Sequence, residues 1–192
     1  SNRVRETKLP IVYINMVGGQ DDQVFDGESF VMNSDKKITK VLPSFQSKID
    51  LVDFFQENKN WLSNEERSFF EENTLSSDYK AMTIGLKDYV HKSGFKKVII
   101  GLSGGIDSAL VACIAVDAFG PKNVLCVKLP SKFTSDESKR DADELLNNLD
   151  CDNETVSIKK INNIFLNSLS DIFKNYKKDI TEENIQSRIR GL

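Results

Sequence analysis

The sequence predicts an α/β fold in which a parallel sheet alternates with helices, preceded by a few strands of a second, incomplete unit. Three observations carry this. From residue 78 onward helical and strand patterns alternate. A continuous apolar run, Lys97-Val98-Ile99-Ile100-Gly101-Leu102, breaks at Ser103-Gly104-Gly105 and is followed by an apolar helical stretch. Before residue 43 the apolar runs are instead short, β-branched and parted by Gly18-Gly19.

Taken in order, residues 11–17, 29–32 and 38–42 read as strands, the last ending at Pro43. A few strands with no cover for one face are marginal in water. Residues 9–42 are therefore expected to be poorly ordered, or to pack against another copy. Residues 44–77 read as a connector with one or two short helices, because Ser63 followed by Glu66 fits a capping box. Residues 79–92 carry a helical stripe of Met82, Leu86, Tyr89 and Val90 that stops near Gly94. The run at 97–102 is expected to be a strand buried on both faces. A helix over 107–119 is closed by Gly120-Pro121. Then follow a strand at 123–129, a helix at 136–149, a strand near 155–158, and helices over 161–176 and 181–189. This order implies right-handed crossovers and parallel strands.

The 192 residues are enough for one full domain, or for one plus part of another. A net charge of −3, from 26 basic and 29 acidic residues mixed along the chain, gives no broad field to draw in nucleic acid or an anionic membrane. Small partners are expected, with no nucleic acid and no membrane. Cys113, Cys126 and Cys151 form no CxxC pair, and two of them, set in apolar stretches, read as small buried thiols. With no secretory apolar segment at the start, they point to a reducing, cytoplasmic compartment. His91, the only histidine, falls on a polar helix face and reads as a surface residue.

The chemistry is concentrated in the turn Leu102-Ser103-Gly104-Gly105-Ile106-Asp107-Ser108. Ligands of open parallel sheets collect where strands end and helices begin. Adjacent glycines let the backbone pass close under a ligand, and successive amides form a concave nest suited to pyrophosphate. Ser103 and Ser108 would add hydroxyls. Asp107 would repel a bare phosphate, so its sensible task is to hold the magnesium that accompanies ATP. No Gly-Lys-Ser/Thr follows, which excludes a Walker A loop, and GxGxxG is absent too.

Gly101-Leu102-Ser103-Gly104-Gly105-Ile106-Asp107-Ser108-Ala109 resembles the loop of the PP-loop ATP pyrophosphatases, and among them of the glutamine-dependent NAD synthetases. Leu129-Pro130-Ser131 with Asp136-Glu137-Ser138 and Asp141-Ala142 is similar to that family's second-strand segment, which usually begins with Met. Glu183-Asn184-Ile185-Gln186-Ser187-Arg188-Ile189-Arg190-Gly191 resembles a later segment with Ala where Ser187 stands. Upstream, Tyr13-Ile14-Asn15, Val17-Gly18-Gly19-Gln20-Asp21, Val24-Phe25-Asp26-Gly27 and Ser29-Phe30 look like the tail of the nitrilase-type glutaminase domain fused to these enzymes. The family more often has Glu, Leu and Gly where Asp22, Gln23 and Glu28 stand.

The resemblance implies a Rossmann-like sheet of the adenine nucleotide alpha hydrolase kind over 78–192. It also implies a connector at 44–77 and, over 1–43, the end of a nitrilase-like α/β sandwich. It further implies ATP contacts at Gly101, Leu102, Ser103, Gly104, Gly105, Ile106, Asp107, Ser108 and Leu129, with Mg2+ on Asp107. Asn184 and Arg188 would contact deamido-NAD. The nitrogen donor would be glutamine or ammonia, and the whole protein a homo-oligomer. The family's glutaminase Glu, Lys and Cys precede residue 1, and its Thr-Gly-Asn-Lys segment follows residue 192. The chain alone is therefore expected to be inactive. Two alternatives stay open: another PP-loop amidating or thiolating ligase, and a noncatalytic nucleotide-binding module. Neither paired catalytic cysteines nor a basic RNA-binding face supports thiolation.

Overall fold

The computed structural model describes residues 2–64, 73–131, 134–174 and 180–191. The chain divides into two compact units, Ser1–Gly94 and Phe95–Leu192.

The first unit opens with helix α1 (Asn2–Thr7), which buries Val4 and was not expected from its polar sequence. Strands β1 (Ile11–Tyr13), β4 (Phe30–Met32) and β5 (Ile38–Val41) form an antiparallel sheet in the order β1-β4-β5. The expected strand over 11–17 is broken in two. At the break, the Asn15 amide donates to Ser29 Oγ at 3.0 Å and its side chain donates to Asp26 at 3.0 Å, turning the chain into a new hairpin. That hairpin is β2 (Val17–Gln20) with β3 (Gln23–Asp26). Helix α2 (Thr74–Lys92) packs on it, starting where Asn73 Oδ1 accepts from the Leu75 amide and stopping at Ser93-Gly94. Gly18-Gly19 is thus no ordinary turn: a Cβ built on Gly19 would lie 3.2 Å from Gly85 Cα of α2. The Gly19 amide also donates to Asp88 at 2.7 Å. Residues 9–42 carry strands β1 to β5 of this unit.

The connector departs from expectation. Residues 54–63 form the hairpin β6 (Phe54–Glu57) and β7 (Asn60–Ser63), not a helix. Asn58 and Lys59 both take positive φ, as a tight hairpin turn requires. Ser63 cannot cap a helix because its hydroxyl is engaged elsewhere. It donates to Asn33 Oδ1 at 2.9 Å and lies 2.6 Å from Thr39 Oγ1. Glu66 lies outside the described residues.

The second unit carries the parallel sheet, in the order β10-β9-β8. Its elements are β8 (Val98–Gly101), α3 (Ile106–Phe119), β9 (Val124–Lys128), α4 (Asp136–Leu149), β10 (Asp152–Thr155), α5 (Lys159–Ser168), α6 (Ser170–Phe173) and α7 (Ile180–Arg190). The fold is α/β, as the alternation predicts. Ala112, Ala115 and Ala118 on α3 are buried with Val124, Cys126, Leu146 and Ile189. Three details differ. β8 is an edge strand in which Ile99 is 73% exposed, not a strand buried on both faces. β10 begins three residues early, because Asp150 ends α4 in a left-handed cap and delivers the chain at once to β9. Residues 155–158 still extend the ladder, with the Val156 amide on Lys128 O at 2.9 Å and the Ile158 amide on Pro130 O at 3.2 Å. The helix expected over 161–176 is interrupted at Leu169; residues 175 and 176 lie outside the described residues. Among the described residues no helix is long and apolar enough to cross a membrane.

Candidate active site

The β8–α3 turn lies at the carboxyl end of the sheet, where Leu102 still donates its amide to Val127 O at 2.9 Å. Residues 103–105 then leave the strand before α3 begins. Gly104 takes φ +87°, a conformation that strains any side-chain-bearing residue. Gly105 is the N-cap of α3 and has no side chain to cap with.

Two serines brace this bend. The Ser103 amide donates to Ser108 Oγ at 3.2 Å, and the Gly105 amide donates to Ser103 Oγ at 3.2 Å. The Ser108 hydroxyl donates to Gly105 O at 2.9 Å, with the two hydroxyl oxygens 3.0 Å apart. These bonds leave the amides of Gly104, Ile106 and Asp107 open. The last two are first-turn donors that a helix cannot satisfy internally. Open amides at a helix N-terminus, backed by the helix dipole, attract phosphate oxygens. Asp107 is exposed on the first turn and takes no part in the serine network.

The bend opens onto a cleft of about 720 Å³, wholly within the second unit, at the carboxyl ends of all three strands. Gly101, Leu102 and Ser103 from the end of β8, and Leu129 with Pro130 from beyond β9, line it. A second helix start reaches it too: Ser135 caps α4, its hydroxyl accepting from the Ser138 amide at 3.0 Å. Lys128, Lys139, Lys159 and Arg190 bring four cations to the lining. Two are paired, Lys128 with Asp143, and Lys139 with Asp136 at 2.7 Å. The Lys139 ammonium holds the Asp136 carboxyl below the usual carboxylate range. This is a polar, cationic recess bordered by two helix starts, suited to a polyanionic ligand.

Of the residues singled out in the sequence, Gly101, Leu102, Ser103 and Leu129 line the cleft, and Gly104 to Ser108 make the bend beside it. Asn184 and Arg188 are exposed on α7 and do not line it. At about 100° per residue they face roughly opposite to Gln186 and Arg190, which do. Lys128, Lys139, Lys159, Gln186 and Arg190 were missed by the sequence reading. The signal lay in their positions: Lys128 ends a strand, Lys159 starts a helix, and Gln186 with Arg190 share one helical face.

No group of three or more His, Cys, Asp or Glu among the described residues could hold a metal ion. A single carboxylate such as Asp107 would suffice only for a magnesium ion that arrives with a nucleotide and takes its other ligands from phosphate and water.

Comparison with known proteins agrees with this geometry. Residues 78–192 match the family described as NAD synthase. Over 190 residues the chain is 47% identical to the glutamine-dependent NAD(+) synthetase of Rhodobacter capsulatus, covering 99% of this chain and 34% of that protein. Among solved structures, the glutamine-dependent NAD+ synthetase of Acinetobacter baumannii in complex with adenosine diphosphate is similar. It superposes with a TM-score of 0.89 at 40% identity, covering 99% of this chain and 36% of that one. The NMN synthetase of Francisella tularensis superposes with a TM-score of 0.54 at 28% identity, over 62% of this chain and 48% of that one. The chain spans about a third of the length of the curated relatives it matches. With the PP-loop bend at the mouth of a parallel sheet and the family match covering residues 78–192, the chain belongs to the NAD synthase family.

Proposed function

We propose that this chain is part of an ATP-dependent NAD synthetase, one that adenylates deamido-NAD and amidates it with glutamine-derived ammonia. The products are NAD, AMP and pyrophosphate. The observation that carries this is the set of open amides at Gly104, Ile106 and Asp107, beside a cleft lined by four cationic side chains. In the first step a nicotinate carboxylate oxygen attacks the α-phosphorus of ATP and the bond to pyrophosphate breaks. The developing charge on the leaving oxygens meets the open amides and the α3 dipole, which are fixed in place before the reaction. Lys159, and Lys139 beside its Asp136 partner, add positive potential from the cleft lining. Ammonia then attacks the acyl carbon, AMP leaves, and a proton is released. No side-chain nucleophile is needed.

Asp107 would hold magnesium, which when bound offsets charge on the pyrophosphate. Gly101, Leu102 and Leu129 would border the adenosine part. The similarity to an enzyme solved with adenosine diphosphate supports this. Asn184 and Arg188 would face deamido-NAD from the outer side of α7, Arg188 through its planar pair of donors. In this reading residues 1–43 end a glutaminase domain, 44–77 connect, and 78–192 begin the synthetase domain, where the family match starts. The whole protein would be a cytoplasmic homo-oligomer using glutamine or ammonia.

A sister reading, favoured by the likeness to an NMN synthetase, replaces deamido-NAD by the corresponding mononucleotide. Pyrophosphate-to-ATP exchange in the whole protein decides between them. Exchange that requires deamido-NAD supports the first, exchange that requires nicotinate mononucleotide supports the second, and exchange with neither refutes both.

A further inference from the structure

We infer that Gln186 and Arg190 form a positioning clamp that fixes the 129–131 wall of the cleft, so that nucleotide affinity depends on α7. This rests on the reading that the cleft holds ATP. The wall begins where the β9 strand ends, and bonds from the neighbouring strand, its own turn and α7 hold it. Ile158 donates to Pro130 O at 3.2 Å, and the Ser131 amide donates to Thr134 Oγ1 at 3.0 Å. Further bonds come from α7. With its amide oriented so that both ends find partners, Gln186, 5% exposed, donates through its nitrogen to Ser131 Oγ at 2.7 Å, and Ser131 is itself buried. Its amide oxygen accepts from both terminal nitrogens of Arg190, at 3.0 and 3.1 Å. Arg190 Nε donates to Leu129 O at 3.4 Å.

One guanidinium thus bridges a backbone carbonyl of the wall and a buried amide that grips the next residue but one. Only a planar group with several donors at fixed angles can make this bridge, so lysine cannot replace it. A buried amide with both ends bonded is costly to disturb, which makes the clamp rigid. Gln186 and Arg190 act through the wall and are positioning residues.

The test combines calorimetric titration with Mg-ATP and amide exchange over 129–131, read at Leu129 and Ser131, on this chain and its Arg190→Lys, Arg190→Gln and Gln186→Met variants. All three variants are expected to speed exchange at 129–131 and to weaken ATP binding on the order of tenfold, about 1.4 kcal/mol. Melting temperatures should stay within a few degrees. The inference is overturned if Arg190→Lys keeps both the affinity and the exchange pattern while Arg190→Gln loses affinity alone, since Arg190 would then act as a charge on the nucleotide. Unchanged exchange at 129–131 in all three variants also overturns it. If even the parent chain fails to bind ATP, the nucleotide reading fails, and the exchange pattern still decides the clamp.

Discussion

Gly104 lies directly against the backbone of Ser138: a Cβ built on it would stand 2.9 Å from Ser138 Cα and overlap the Ser138 carbonyl. The start of α4 thus closes down on the PP-loop bend, and only glycine, at φ +87°, fits between them. Gly104→Val is expected to lower stability by about 1–3 kcal/mol, through left-handed strain and overpacking. It should also remove measurable ATP binding. Thermal melts with calorimetry check both, and a variant with parent affinity would contradict the fit.

Lys128 and Asp143 are ion-paired at the cleft, Lys128 with its side chain 19% exposed. Changing either partner should move nucleotide affinity in opposite directions. Lys128→Met removes a cation and leaves Asp143 facing the phosphates, so binding should weaken about threefold to tenfold. Asp143→Asn should strengthen it. Both shifts should shrink as salt is raised, because the pair is partly screened. Parallel titrations at low and high ionic strength read this out.

Cys126 is fully buried, and burial pushes its thiol up to about 12, with Cys151 adding to the rise at an Sγ distance of 3.8 Å. Because thiolate is the reactive form, Cys126 should resist iodoacetamide in the folded state at pH 8 and label only as the chain unfolds. The linkage sign follows from a raised folded value. Its contribution is complete below the ordinary value of 9.0 and is lost as pH rises from there toward about 12. Urea melts at stepped alkaline pH, compared with Cys126→Ala, measure that loss.

Asp50 is held down to about 2, first by its hydrogen bond to Lys40, then by the Leu51 amide and Lys48. A depressed carboxyl contributes stability that is complete above 3.8 and lost as pH falls toward about 2. Asp50→Asn should therefore flatten the acid side of the stability curve in that window, matching the parent at its acid end and falling slightly below it at pH 7, by little because the group is exposed. An unaltered acid limb would contradict it.

The parallel half of the fold was legible because its signals are local. Helix α4 runs from Asp136 to Leu149, the bounds expected from the sequence, and the bend at 103–105 follows from two glycines after a strand. The hairpin at 54–63 was not legible. Its apolar alternation is short, and the residue that resembles a helix cap, Ser63, is occupied by Asn33 and Thr39, thirty and twenty-four residues away. The cationic lining was missed for the same reason. Lys128, Lys139, Lys159 and Arg190 are scattered over sixty residues, and only the common carboxyl edge of three strands gathers them.

The central claim is that backbone amides of the β8–α3 bend hold the diphosphate of ATP. Its most direct test is a titration of the isotope-labelled chain with Mg-ATP, followed by the amide resonances of residues 103–108. The account predicts large, saturable shifts at Gly104, Ile106 and Asp107, reproduced by pyrophosphate and absent in Gly104→Val. Shifts confined to other parts of the chain, or none at these three amides under saturating nucleotide, would contradict it.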